Sequence, residues 1–195
     1  RPRKADRQIE RFRLTSKAAG EGARATLDMR ILETNRLLLR EFVPGDIDAL
    51  AAVISDPETM RFYPQALERA GVESWIERNR RRYLGDGHGL WAMVLKSSGE
   101  LVGDCGLTRQ TVDKVDEIEI GYHLRRDLWG RGLAPEAASA CRDYGFERLR
   151  TDQLISLIRP ENLPSRRVAE KVGLRWWKEV MWRDLPHCVY MIRRG

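Results

Sequence analysis

No stretch of this chain approaches the roughly 18–20 consecutive apolar residues that a membrane-spanning helix needs. Its arginine-rich start is not followed by the apolar core of a secretion signal. A cytoplasmic protein with no membrane partner is therefore expected. Cysteine is scarce: Cys105, Cys141 and Cys188 are odd in number and widely spaced, matching neither a disulfide framework nor a zinc ligand set. Buried free thiols and no metal are the expectation. The chain also lacks internal repeats and low-complexity segments. It has neither a Gly-x-Gly-x-x-Gly register nor a Gly-Lys-Ser/Thr ending, which disfavours nicotinamide and ATP enzymes.

What is present fits one domain. At 195 residues, with 42% hydrophobic and 33% charged residues, the chain can bury a core and is too short for two ordinary domains. The formal charge of +6 is unevenly placed. Residues 1–28 hold eight Lys/Arg against four Asp/Glu, few large apolar residues and a Gly-Glu-Gly break. They read as a basic N-terminal extension, disordered or loosely helical, preceding a domain over 29–195, with Met29 a sensible translation start. Such an arm could touch RNA or a ribosome, although the weak charge of the remainder makes a nucleic-acid partner unlikely.

Residues 29–43 read as a strand, with Leu37, Leu39 and Glu41 alternating against Leu38, Arg40 and Phe42. Pro44-Gly45-Asp46 turns the chain, and Asp46 is placed to cap a helix carrying Leu50, Val53 and Ile54. A loop through Pro57 and Pro64 leads to a polar helix near 69–84, closed by the glycine-rich break 85–89. Strands 90–96 and 101–108 flank the turn Ser97–Glu100, and a third at 116–124 continues the meander. Helix 133–148 has Ala134, Ala137, Ala138, Cys141 and Gly145 on one face, small enough to lie close on a sheet. Strand 153–159, a short helix 163–172 ended by Gly173, and strands near 174–182 and 187–194 complete an α+β order.

The most telling segment is Leu128-Trp-Gly-Arg-Gly-Leu-Ala-Pro-Glu-Ala137. It links the strand-like run Glu117–Leu124 to the small-residue helix. Glycines at such a turn let main-chain N–H groups approach a phosphate, with the positive end of the helix dipole behind them.

Together with Arg36-Leu-Leu-Leu-Arg40, Ile120-Gly-Tyr-His-Leu124 and Asn162-Leu-Pro-Ser-Arg-Arg-Val-Ala-Glu-Lys-Val-Gly-Leu174, that segment resembles the GNAT acetyltransferase superfamily. Within it the chain is most similar to the ribosomal-protein-alanine N-acetyltransferase-like branch. The resemblance covers residues 30–194, and its two main motifs lie about 30 residues apart in strand-to-helix settings. It implies a GNAT-like fold: a mixed, mostly antiparallel sheet of about six or seven strands, flanked by helices and splayed at its central strand. It implies an N-acetyltransferase that moves an acetyl group from acetyl-CoA to a primary amine by direct attack in a ternary complex. The acceptor would be a protein N-terminus or a small-molecule amine, and the assembly could be a homodimer. Three departures stand out: Trp129 replaces the general Gln or Arg, as is common in the branch; Pro135 removes one N–H from the helix start; and Ala169 stands where many members carry a proton-donating tyrosine.

By this resemblance the coenzyme pyrophosphate would meet Trp129, Gly130, Arg131, Gly132, Leu133 and Ala134. The pantetheine arm would pair with Tyr122, His123 and Leu124 as an added strand, assisted by Asn162. Ser165 is the candidate proton donor to the departing thiolate, and Asn162 can also cap its helix by accepting from the N–H of residue 165. Glu119 is the candidate base, with Glu117 on the same face as its rival and His123 a possible relay. Cys105 and Cys141 fall at positions that look buried, so a cysteine nucleophile is not expected. Trp91, Trp176, Trp177 and Trp182 read mostly as core, with one or two lining the acceptor pocket. Arg78, Arg80–Arg82, Asp86 and His88 fit either an acidic partner or an ordinary solvated helix face. A non-catalytic acyl-CoA sensor would carry the same turn, so it remains an alternative, as does a ribosome- or RNA-associated protein.

Overall fold

The computed structural model describes residues 30–195. The basic extension 1–28 and Met29 lie outside the described residues. Eight strands form one sheet in the order β1-β2-β3-β4-β5-β6-β8-β7. They are β1 Arg30–Glu33, β2 Leu37–Arg40, β3 Leu90–Leu95, β4 Leu101–Val112, β5 Val115–Leu124, β6 Gln153–Ile158, β7 Arg175–Trp182 and β8 Leu185–Arg193. Every neighbouring pair is antiparallel except β5 with β6. The helices are α1 Ile47–Ile54, α2 Arg69–Gly85, α3 Leu133–Glu147 and α4 Leu163–Lys171.

The strand expected over 29–43 is two strands, which raises the count to eight. Thr34 breaks it: its hydroxyl accepts from the Leu37 N–H at 3.0 Å, and its own N–H donates to the Leu37 carbonyl at 2.9 Å. β2 then folds back against β1. The β4–β5 hairpin is longer than expected because Asp113 and Lys114 form a two-residue turn with φ of 49° and 67°. Asp46 does not cap α1 through its side chain. Its carboxylate instead receives both Arg40 Nη atoms at 2.7 Å and the Val43 N–H at 2.8 Å, closing a 3-10 turn over Pro44–Asp46.

Alternation along the strands sends side chains to two faces. Ala92 and Val94 pack with Leu50, Val53 and Ile54 of α1 and with Val72 and Ile76 of α2. Trp91 and Met93 pack on the other face, in a larger core with Leu133, Ala137, Ala138 and Cys141 of α3 and Ala169 of α4. The small-residue face of α3 does bring the helix close to the sheet: a Cβ at Gly145 would sit 2.9 Å from Leu154 Cδ1. Of the four tryptophans assigned mostly to the core, Trp91 is buried. Trp176 and Trp177 are 55% and 39% exposed, because β7 is the sheet's outer strand.

The parallel β5–β6 neighbours pair through a single residue couple, Glu119 with Ile155. Beside it the Ser156 hydroxyl donates to the Ile120 carbonyl at 2.9 Å. Beyond that point the two strands separate, giving the central splay on which the site is built.

Candidate active site

The glycine turn is held from below by the β1–β2 hairpin. Arg36 donates from Nη1 to the Arg131 carbonyl at 2.9 Å and from Nε to Glu136 at 2.7 Å. Glu136 also receives the Thr34 hydroxyl at 2.6 Å and the Arg36 N–H at 2.8 Å. Burial works against its ionisation, but these bonds outweigh it and hold the carboxyl below the usual range. Gly130 and Gly132 adopt φ of 75° and 76°, and Gly132 is the N-cap of α3. The N–H groups that open α3 have no partner within the helix, so Gly132, Leu133 and Ala134 present main-chain donors there, while Pro135 presents none. Trp129, Gly130, Gly132, Leu133 and Ala134 line one end of a cavity of about 380 Å³. Arg131 is exposed and does not line it.

That cavity runs along the end of β5. The Ile120 and Leu124 carbonyls point away from β4, taken respectively by Ser156 and by the Trp129 indole N–H at 2.7 Å. By the two-residue period of a strand the Tyr122 main chain faces the same way. His123 does not offer its main chain to the cleft. Its carbonyl lies toward Gly103 of β4, and the next residue of the same pattern, Arg125, donates to Val102. What His123 contributes is its imidazole. Nδ1 lies 2.7 Å from Asp104 Oδ1 and Nε2 lies 2.8 Å from the Tyr63 hydroxyl. The Trp75 indole donates to the other Asp104 oxygen at 2.9 Å. The imidazole thus bridges the fully buried Asp104 and the Tyr63 hydroxyl.

Asn162 accepts from the Ser165 N–H at 3.1 Å, as the sequence spacing suggests, and opens α4. The Tyr122 hydroxyl donates to the Ser165 carbonyl at 2.8 Å, and burial raises the phenol's pKa above its ordinary value. Asn162, Ser165, Tyr122, His123, Phe62 and Tyr63 line both this cavity and a second one of about 270 Å³. The two cavities therefore adjoin, with these six residues as their common wall.

Glu119 lines the second cavity. Gln110 donates to its Oε2 at 2.7 Å, with longer contacts at 3.4 Å from the Thr108 hydroxyl and the Leu157 N–H. Burial pushes its pKa up, and these donors offset only part of that rise. Its rival Glu117 is occupied elsewhere: both carboxylate oxygens accept from Gln153, at 2.9 and 2.8 Å, and it does not line the cavity. Trp75, Trp182, Arg78 and Arg82 also line this cavity, whereas Arg80 does not. His88 is buried against the Leu107 carbonyl at 2.7 Å, a packing contact. Cys105 and Cys141 are buried with sulfurs 3.5 Å apart. Burial and that neighbour push the Cys105 thiol well above its ordinary value, which makes it a poor nucleophile.

Three residues of the site were not singled out in the sequence: Asp104, Tyr63 and Trp75. Asp104 had a signal, since an acidic residue inside Leu101-Val-Gly-Asp-Cys-Gly-Leu107 must find a partner if buried. The hairpin register puts it directly opposite His123. Tyr63 sits in an irregular loop and carried no periodic signal.

Known proteins share this fold and sequence pattern. A family described as "Acetyltransferase (GNAT) domain" matches residues 36–175. The protein YkkB of Bacillus subtilis (strain 168) is 36% identical over 160 residues, covering 82% of this chain and 93% of its own. The N-acetyltransferase p20 of Bacillus licheniformis is 30% identical over 159 residues, covering 80% and 87%. Among solved structures, an acetyltransferase from Agrobacterium tumefaciens str. C58 superposes with a TM-score of 0.73 at 29% identity, covering 84% of this chain and 94% of that one.

Proposed function

The chain belongs to the acetyltransferase (GNAT) family, and from that premise we propose that it transfers the acetyl group of acetyl-CoA directly to a primary amine, using Glu119 as base and Ser165 as proton donor. The observation that carries this reading is the pair of adjoining cavities at the β5–β6 splay, one reaching the glycine turn and the other a half-buried carboxylate, Glu119.

The coenzyme pyrophosphate would take the N–H donors at Gly132, Leu133 and Ala134, with the dipole of α3 behind them. The pantetheine amides would pair with the outward main chain of Tyr122 and Leu124. The acetyl group would then stand where the two cavities meet, and the amine would enter from the Glu119 side. Glu119 accepts a proton from the amine, whose nitrogen attacks the thioester carbonyl. A C–N bond forms and the C–S bond breaks; the Ser165 hydroxyl passes its proton to the thiolate as its oxygen takes up the second proton shed by the nitrogen, so the serine ends unchanged and Glu119 returns its own proton to solvent. An N–H of the splayed strand at Tyr122 supplies the oxyanion donor. The raised pKa of Glu119 suits a base working near neutral pH.

The test is thiol release from acetyl-CoA across a panel of small amines and N-terminal peptides, with the acetylated product identified by mass. Acceptor-dependent release is expected. Tight coenzyme binding with no release on any amine would replace this reading with that of a non-catalytic acyl-CoA sensor.

A further inference from the structure

The second cavity is unusually basic for a place where a cation must bind. Arg78, Arg82, Arg159 and Arg183 line it, against the single carboxylate of Glu119. Arg78 and Arg82 are four residues apart on α2, so they project from one face of the helix, where like charges repel. Arg183 comes from the tip of the β7–β8 hairpin, where it and Asp184 form a two-residue turn with φ of 50° and 60°. Among the described residues none of Arg78, Arg82 and Arg183 has a carboxylate within 4.0 Å, although thirteen other lysines and arginines do.

Two of these guanidiniums lie against aromatic rings. Arg78 lies 4.9 Å from the centre of the Trp75 ring and Arg183 lies 4.2 Å from that of Trp182. Burial lowers the pKa of Arg78, and the neighbouring Arg82, Arg183 and Arg81 lower it further; burial also lowers that of Arg82, where Glu119 and Asp86 offset part of the fall. Arg159 stands apart from these three, because its Nη2 lies 3.7 Å from Glu161.

We propose that the amine acceptor carries its own anionic group, a carboxylate or a phosphate, a few bonds from its nitrogen. The ammonium end is drawn to Glu119, and the anionic end is held by the arginine fork chemistry of Arg78, Arg82 and Arg183. This rests on the acetyl-transfer reading of the same cleft. A cavity of about 270 Å³ lined by Trp75, Trp182 and Phe62 suits a small zwitterion with an apolar body. A polycationic amine would face net repulsion there.

The test compares phenylalanine and its aminophosphonate isostere with phenylalaninamide and phenethylamine, which keep the ring and the amine and lack the anion. The anionic acceptors are expected to exceed the neutral pair in kcat/KM by about thirtyfold or more. The better of the two shows whether carboxylate or phosphate is the native group. Arg183→Asn keeps a residue that tolerates the left-handed turn, and Arg82→Gln keeps a helix former. Each should lower the preference about tenfold, with coenzyme A affinity unchanged as the check on folding.

Calorimetric binding of the same compounds to the protein with coenzyme A gives the ranking without turnover. If turnover is silent but the anionic compounds still bind best, acetyl transfer fails and the anion site stands. If the ranking is flat or inverted in both measurements, or both arginine variants leave it unmoved, the anion site is wrong while acetyl transfer stands.

Discussion

Gly132→Ala places one methyl group on a residue whose φ is 76°. The methyl itself has room: the built Cβ meets only Arg36 Nη2, at 3.5 Å, an ordinary contact. The cost is therefore conformational, about 1–2 kcal/mol for an L-residue held in the left-handed region. That strain has two outlets. If the turn keeps its shape, the domain absorbs the cost and melts about 2–8 °C lower. If the turn relaxes, the N–H groups of Gly132, Leu133 and Ala134 move off target and the coenzyme Kd rises about 5–30-fold. Titration calorimetry with coenzyme A and with pantetheine, beside scanning calorimetry of the free protein, separates the outlets. Relaxation should weaken coenzyme A and spare pantetheine, which has no pyrophosphate. Gly130→Ala, at φ of 75° with open space around its Cβ, is the parallel case. Unaltered melting and unaltered Kd in both variants would refute the reasoning, and an equal loss for the two ligands would move the phosphate site elsewhere.

Glu119→Gln is expected to lower kcat by about 10²–10⁴-fold and to flatten the acid limb of the pH–rate profile; an intact limb places the base elsewhere. The same substitution has a stability signature. The Glu119 pKa is raised by burial, so its contribution to folding is present below the unfolded carboxylate pKa and is lost as pH rises through the folded value. The melting temperature of the variant should therefore gain on that of the native protein as pH goes from acid to neutral. Ser165→Ala leaves the Asn162 cap intact, because that cap uses the Ser165 N–H. It should reduce turnover while sparing coenzyme affinity, and equal rates in the two proteins would remove Ser165 as proton donor. Gly145→Ala drives a methyl to 2.9 Å from Leu154 Cδ1. Overpacking of about 1–3 kcal/mol, eased by up to about 1 kcal/mol of helix propensity, should lower the melting point by several degrees. A rise instead would show that α3 stands off the sheet.

The elements that could be read in advance are those with strong local signals. The Gly130–Gly132 turn, the small face of α3 and the Asn162 cap each follow from residue type at fixed spacing, and the structure has all three. Where local signals compete, reading the sequence failed. Asp46 looks like a helix cap, but Arg40 lies within reach across the turn, and a charged partner outbids a main-chain N–H of α1. The Asp113–Lys114 turn contains no glycine, so the reach of the β4–β5 hairpin was hidden, and with it the register that pairs Asp104 with His123. Glu117 and Glu119 are equivalent by periodicity. Only the long-range neighbours Gln153 and Gln110 tell them apart. The arginines of α2 are a solvated face or a ligand site depending on where the β7–β8 hairpin folds, which no local pattern encodes.

The lone Glu119–Ile155 bridge means that main-chain pairing divides the sheet into two rafts, β1 to β5 on one side and β6 to β8 on the other, with side chains such as Ser156 and Gln153 joining them. Each raft is laced internally by antiparallel hydrogen bonds, whereas the seam between them is left to side chains and packing. The molecule's middle is therefore held by side chains and by the helices beneath it, so a core substitution under α3 acts on both rafts at once.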